Sequence, residues 1–138
     1  MFSSGVFNYI NLLDKAADGA WARHEAISNN IANQDTPGYK RQDVDFESEL
    51  KKALRISRYT ENIDNRNNLD KQIANLNFNS LKPKVFTDMR SYSYRLDGNN
   101  VDIDTESSYL AENQLRYYAL LDSMNQEFSR IKTVLTSK

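Results

Sequence analysis

Apolar residues recur through the N-terminal quarter of the chain at alternating spacings of four and three positions. The series consists of Val6, Ile10, Leu13, Ala17, Ala20, His24, Ile27 and Ile31. Only His24 among them is polar. This alternation is the a/d register of a helix that packs one narrow stripe against a partner helix. The alanines in the middle of the stripe predict that the two helices approach closely there.

The same register returns near the C-terminus. Its members are Leu110, Gln114, Tyr117, Leu121, Met124, Phe128, Ile131 and Leu135. Only Gln114 is polar in this second stripe. Asp104 is predicted to cap this helix, and Glu106 follows in the first turn, where the helix dipole favours a negative charge. Each end of the chain is therefore predicted to be one helix of about 25 to 30 residues, roughly 40 Å long. So narrow a stripe suits coiled-coil packing better than a globular core.

The middle of the chain is polar and weakly patterned. A short amphipathic helix is predicted after Asp45, which would cap it. The asparagine-rich stretch beyond Tyr59 is predicted as loop or marginal helix, and residues 85–96 as an extended or hairpin segment. The predicted organisation is an N-terminal helix, then a turn with a short helix and an extended polar middle, then a C-terminal helix: residues 1–33, 34–103 and 104–138.

Composition narrows the function classes. The 138 residues carry a net charge of −1, so the basic surplus of a dedicated nucleic-acid binder is missing. There is no cysteine, which excludes disulfides, zinc-thiolate sites and cysteine nucleophiles. No stretch approaches the roughly 18 apolar residues of a membrane span. Because the N-terminal segment lacks a basic region followed by an apolar run, a cleavable secretory signal is not expected.

Candidate chemistry is sparse. His24 is the single histidine and has no acidic residue four positions on, so it is predicted to be a polar seam residue and not a ligand. The acidic stretch from Asp97 fails the EF-hand pattern, because Val101 and Asp102 occupy the fifth and sixth positions and Ser108 the twelfth. With four glycines in the chain there is no phosphate-binding loop. We therefore expect no catalytic, cofactor or metal site, and a non-enzymatic protein.

Dense turn signals follow the first helix, in the sequence SNNIANQDTPGYKRQDVDF from residue 28 to residue 46. Asn33 is suited to ending the helix in a left-handed conformation. Thr36 is extended because it precedes Pro37. Pro37 and Gly38 suit the central positions of a type II turn, where glycine supplies the positive φ. One cap does not account for all of the asparagines.

This segment resembles the signature of the bacterial flagellar rod and hook proteins, an Asn-x-x-Asn-x-x-Thr-x-Gly-Tyr pattern after an N-terminal heptad helix. Together with LDGNNVDID ahead of the last helix, it looks like the FlgB type of proximal rod protein in particular. The resemblance covers roughly residues 1–55 and 96–138. Gln34 departs from it, since relatives often have a small residue there. Residues 59–90 carry no resemblance.

The resemblance implies a mainly α fold in which the two long helices pack as an antiparallel coiled coil lining a hollow tube. Because capping uses only one of the asparagines, we predict that the signature turn, which includes Thr36, Pro37 and Gly38, fixes the angle at which the chain leaves the first helix. The turn is also predicted to present Asn30, Asn33 and Tyr39 to adjacent subunits. The implied protein is a structural subunit of the basal-body rod, the drive shaft between the membrane ring and the distal rod and hook.

Partners and location follow from the same resemblance. The implied partners are copies of the chain itself, other flagellar rod proteins, the membrane-ring or rod-adaptor proteins and the flagellar type III export apparatus. Neither nucleic acid nor direct membrane insertion is expected. The implied location is the rod in the periplasmic space, reached after export from the cytoplasm. A phenylalanine followed four residues later by an apolar residue is an early export signal of that pathway, and Phe2 and Val6 match it.

Two other interpretations stay open. A helical-hairpin adaptor or secretion chaperone would bind one partner through the same seams and be a stable soluble dimer in isolation. A sibling rod subunit of the FlgC type is disfavoured, because the DTPGYK form and the short chain fit the FlgB type better.

Overall fold

Two long antiparallel helices form the body of the protein. The computed structural model describes residues 4–54, 73, 76–89 and 96–136. Helix α1 (Ser4–Ala32) packs along helix α3 (Ile103–Thr136). The start of α3 lies at the end of α1, where Asn30 bonds to Glu106, and further along α3 Asn113 bonds to Ala20. The predicted fold class, mainly α with long terminal helices packed together, is confirmed.

The face of α1 that packs inward follows the predicted register. Its buried members are Ile10, Leu13, Ala17, Ala20 and Ile27. His24 and Ile31 are half-buried, and the His24 ring stacks on Trp21 with the ring centroids 5.7 Å apart. Phe2 and the side chain of Val6, the predicted export signal, lie outside the described residues.

The inward face of α3 differs from the prediction at three of the eight positions. Leu110, Tyr117, Leu121, Met124 and Ile131 are half-buried. Phe128 and Leu135 are 54% and 66% exposed, so the prediction that they pack on α1 is wrong for the single chain. Asn113, and not Gln114, faces α1 and is buried. The inward stripe begins one turn earlier, at buried Glu106, and has Asn113 where Gln114 was predicted; both residues are polar, so an apolar count does not identify them.

The middle contributes a small antiparallel ribbon beside the helices. Strand β1 (Gln42–Asp45) pairs with strand β2 (Lys84–Thr87), with Gln42 opposite Thr87 and Asp45 opposite Lys84. The short helix α2 (Glu47–Ala53) follows β1, and a 3-10 turn (Phe78–Ser80) precedes β2.

Sequence expectations for the middle are met in part. The predicted short helix forms, but its N-cap residue is Phe46; Asp45, one position earlier, accepts a hydrogen bond from the Ser48 N–H at 3.0 Å. Extended structure is found at the start of residues 85–96, while residues 90–95 lie outside the described part of the chain, as does most of the asparagine-rich stretch. Strand β1 was not predicted.

The ribbon is held against α1 at a glycine. Phe46, which is buried, packs over Gly19 so closely that a β-carbon on Gly19 would lie 2.6 Å from its Cγ atom. Glycine is otherwise unfavourable inside a helix, by about 1 kcal/mol relative to alanine. Close packing of the aromatic ring therefore accounts for Gly19.

We expect Gly19→Ala to destabilise the protein by roughly 1 to 3 kcal/mol, because overpacking against Phe46 outweighs the gain in helix propensity. Urea unfolding followed by circular dichroism measures the change. In a Phe46→Ala background the same substitution should be neutral or stabilising. An equal loss in both backgrounds would show that the ring is not the cause.

Candidate assembly site around the signature turn

The turn after α1 has the predicted geometry. The Tyr39 N–H donates to the Thr36 carbonyl at 3.2 Å, and Gly38 has a φ of 72°. Asn33 acts locally, since its amide nitrogen donates to the Asn29 carbonyl at 2.8 Å and its amide oxygen accepts the Thr36 hydroxyl at 3.2 Å. The Pro-Gly pair therefore reverses the chain, and Asn33 holds the end of the helix.

Asn99 holds the turn from the far end of the sequence. Its side chain is fully buried, and its amide nitrogen lies 3.0, 2.9 and 2.9 Å from the carbonyl oxygens of Asn33, Gln34 and Thr36. Its amide oxygen accepts the Val101 N–H at 2.8 Å. One side chain thus bonds to three carbonyls of the turn, in addition to the hydrogen bonds that the Thr36 and Tyr39 N–H groups donate to the carbonyls of Asn33 and Thr36.

Residues 97–101, which we call the clamp segment, extend this contact. The Gly38 N–H donates to the Asp97 carbonyl at 3.0 Å, and the Lys40 ammonium to the Gly98 carbonyl at 2.6 Å. The Arg41 N–H donates to the Asn100 amide oxygen at 2.7 Å. The clamp segment therefore fixes the direction in which the chain leaves α1.

Asn30 faces the interior of the chain. Its amide oxygen accepts the Gln42 N–H, and its amide nitrogen donates to the Gln42 carbonyl, both at 2.8 Å. The same nitrogen donates to Glu106 at 3.0 Å, and the Tyr39 hydroxyl donates to the oxygen at 3.3 Å. Because Asn30 is 0% exposed, the expectation that it is presented to an adjacent subunit is wrong. It joins α1 to β1 and α3 instead.

A charged cluster completes the site. Glu106, 1% exposed, forms an ion pair with Arg41, which also pairs with Asp43 at 2.9 Å. The Arg41 guanidinium lies over the Tyr109 ring, 5.5 Å from its centroid. Burial lowers the pKa of Arg41, but the bonds to Glu106 and Asp43 outweigh it and leave this pKa raised. The guanidinium therefore remains charged and neutralises the buried carboxylate.

Burial, and secondarily the charge of Glu106, raises the pKa of the Tyr39 hydroxyl. The hydroxyl therefore stays protonated near neutral pH and remains a donor to Asn30.

The predicted helix cap is displaced by two residues. Helix α3 begins at Ile103, and Asp102 accepts the Asp104 N–H at 3.1 Å and the Thr105 hydroxyl at 2.8 Å. These bonds, chiefly the one from Thr105, lower the pKa of Asp102. Asp102, and not Asp104, is the cap, while Glu106 lies in the first turn as predicted.

A substitution at Gly38 should affect stability through backbone strain and not through steric contact with neighbouring side chains. Nothing lies within 4 Å of a β-carbon at this position, so a side chain meets no neighbour and the positive φ alone opposes it. We expect Gly38→Val to cost roughly 1 to 3 kcal/mol in the urea-unfolding free energy. Gly38→Asn, the matched control, should cost less, because asparagine tolerates this conformation. Equal losses would contradict the turn geometry.

The described residues give no sign of other chemistry. No group of three or more potential metal ligands occurs among them, and none of the described helices is apolar enough over a sufficient length to cross a membrane.

Similarity to known proteins agrees with this architecture. A family model described as "Flagella basal body rod protein" matches residues 20–40. FlgB of Bacillus subtilis (strain 168) is 35% identical over 136 residues, covering 99% of this chain and 96% of that protein. FlgB of Borreliella burgdorferi is 37% identical, covering 82% and 84%, and FlgB of Escherichia coli (strain K12) is 34% identical, covering 83% of each chain.

Flagellar basal-body rod proteins are structural and not enzymatic, which confirms the prediction of a non-enzymatic structural protein. The Bacillus subtilis relative matches nearly the whole length of the chain, including both long helices and the signature turn. The chain therefore belongs to the FlgB family of flagellar basal-body rod proteins.

Proposed function

We propose that this chain is a subunit of the proximal rod, the segment of the drive shaft next to the membrane ring. The observation that carries the proposal is the set of large apolar side chains left on the outside of the two-helix body. Among the most exposed are Trp21, Leu115, Tyr118, Phe128 and Leu135. Neighbouring subunits would cover these side chains, as expected for exposed apolar surface at an interface.

Hydrogen bonds and an ion pair between distant parts of the chain hold each subunit in one conformation. Asn99, Asn30 and the Arg41–Glu106 pair join the end of α1, the ribbon and the start of α3. A buried polar network that is fully paired tolerates few alternative arrangements. Repetition in a rod requires such uniformity, because an angular error at the turn is repeated in every copy.

The proposal includes the partners and the route of the chain. Its neighbours are other copies, other rod proteins and the ring or adaptor proteins at the base of the rod. The chain leaves the cytoplasm through the flagellar type III apparatus, with Phe2 and Val6 as the signal, and takes its place in the periplasmic space. The packing stripes of α1 and α3 and the turn residues Asn33, Thr36, Pro37, Gly38 and Tyr39 serve assembly.

Cell fractionation in the bacterium that encodes the chain tests this function against the adaptor or chaperone alternative. The gene is deleted and restored with an epitope-tagged copy, and basal bodies are purified with detergent and salt. The rod proposal predicts loss of rods and swimming on deletion, and retention of the restored chain in the basal bodies. Recovery of the chain only as a soluble cytoplasmic dimer would support a chaperone instead.

Export is tested in the same strain. Removing residues 2–6 should leave the chain in the cytoplasm at normal abundance and abolish its appearance in the basal body. Replacing Asn29, an exposed residue of the same helix, by alanine is the control and should not affect export. Normal export of the truncated chain would rule out the Phe2–Val6 signal without affecting the rod assignment.

A further inference from the structure

A small aromatic cavity lies between α1 and α3, bordered by residues of these two helices alone. Its volume is about 220 Å³, and its walls include Trp21, Tyr117 and Tyr118. The Trp21 and Tyr117 ring centroids lie 6.2 Å apart. Trp21 and Tyr118 are 60% and 65% exposed in the single chain, so a side chain of another molecule can reach the aromatic walls.

The cavity has a buried acceptor in its lining. Asn113 is 2% exposed, and its amide nitrogen donates to the Ala20 carbonyl at 2.8 Å, which fixes the orientation of the amide. Its amide oxygen is buried and has no hydrogen-bond partner within the described part of the chain. Native structures rarely leave such a group unsatisfied, so a hydrogen-bond donor from outside the chain is expected.

Exposed carboxylates beside the cavity favour a positively charged hydrogen-bond donor. Glu25 lies one helical turn after Trp21, and Asp122 lies one turn beyond Tyr118; both are exposed. Asp18, one turn before Trp21, is also exposed but already pairs with Lys15 at 2.7 Å. Residues three or four apart share a helix face, so these carboxylates border the aromatic walls. Aromatic faces attract ammonium and guanidinium groups, and the carboxylates add to that attraction.

A matching cation is carried by β2. Every position of this strand is exposed, and Lys84 makes no ion pair with any of the described residues. Exposed Val85 and Phe86 follow it, and Leu115, 72% exposed, lies one turn before Tyr118 to receive an apolar neighbour of the lysine. Lys52 is a poorer candidate because it is already paired with Glu49.

We propose that Lys84 of one copy inserts between Trp21 and Tyr118 of an adjacent copy and donates a hydrogen bond to the Asn113 amide oxygen. This contact deepens the proposed function and rests on it, since it joins neighbouring subunits of the rod. The ribbon is thereby the arm by which a subunit holds its neighbour, and the cavity is its receptor.

Site-specific photo-crosslinking in purified basal bodies tests the contact. Gln114, an exposed residue beside the cavity, is replaced by a benzoylphenylalanine, which leaves the aromatic walls intact. After irradiation we expect an adduct of twice the chain mass, joined to the β2 segment by mass spectrometry. Lys84→Gln should reduce its yield about ten-fold, as expected for loss of a charge-assisted contact, whereas Lys51→Gln should not.

A conservative variant, Lys84→Arg, covers the case in which the Lys84→Gln strain assembles few rods. Lys84→Arg retains the charge and should restore both the rods and the adduct. An adduct of single-chain mass, an adduct to other residues, or an undiminished yield with Lys84→Gln would overturn the inference, as would intact rods without any adduct. Absence of the unmodified chain from basal bodies would instead refute the proposed function.

Discussion

Replacing Asn99 by leucine should lower the free energy of unfolding by roughly 2 to 4 kcal/mol, because three turn carbonyls and the buried Val101 N–H each lose a hydrogen bond. The leucine has the same branched skeleton, but it cannot donate to the carbonyls of Asn33, Gln34 and Thr36 or accept the Val101 N–H. Full burial keeps water from replacing these bonds. Urea unfolding of the purified chain, followed by circular dichroism, gives the measurement.

Asn29→Leu is the matched control for this substitution. Asn29 is an exposed asparagine of the same signature, and an exposed substitution away from special features usually changes stability by less than about 0.5 kcal/mol. A similarly small change for Asn99→Leu would show that the clamp segment does not hold the turn.

Replacing Arg41 by methionine should cost roughly 3 to 5 kcal/mol, because it leaves the Glu106 carboxylate buried without its cation. Methionine retains much of the packing of the side chain, so the loss reports mainly on charge. The double variant Arg41→Met/Glu106→Gln should recover at least half of the loss, since the glutamine is neutral and still accepts a hydrogen bond from Asn30.

Unfolding curves of the two single variants and the double variant form a thermodynamic cycle. A double variant as unstable as the sum of the singles would contradict a direct Arg41–Glu106 interaction. An exposed pair, Arg116 with Glu112, is the control. Its removal should change stability by less than about 1 kcal/mol.

Local sequence patterns were sufficient to predict the long helices and the turn. The α1 stripe is apolar except for His24, so its periodicity identifies the inward face. The Pro-Gly pair identifies the turn because glycine alone adopts a φ of 72° without strain. Each of these features depends on residues adjacent along the chain.

The same approach failed where the interior is polar. On α3 the inward face includes Glu106 and Asn113, two polar residues that an apolar count does not identify. Burial of these two polar residues depends on hydrogen bonds to residues that are distant in sequence, Asn30 and the Ala20 carbonyl. No local periodicity contains that information.

The candidate site depends on equally distant pairs. Asn99 is more than sixty positions from the carbonyls it holds, and β1 needs β2 to form a ladder. The adjacent asparagines after Gly98 were a signal that could have been followed, since buried asparagines commonly satisfy backbone groups. Asn30 was assigned to an interface because its partners, Gln42 and Glu106, could not be seen from the turn alone.

A density map of the intact basal body from the bacterium that encodes this chain tests the rod assignment most directly. The account predicts density for antiparallel helices matching residues 4–32 and 103–136 in the wall of the rod next to the membrane ring, with the signature turn at one end of the pair. In the deletion strain this density and the rod beyond it should be missing. A rod base with no such helix pair, or one unchanged by the deletion, would contradict the assignment.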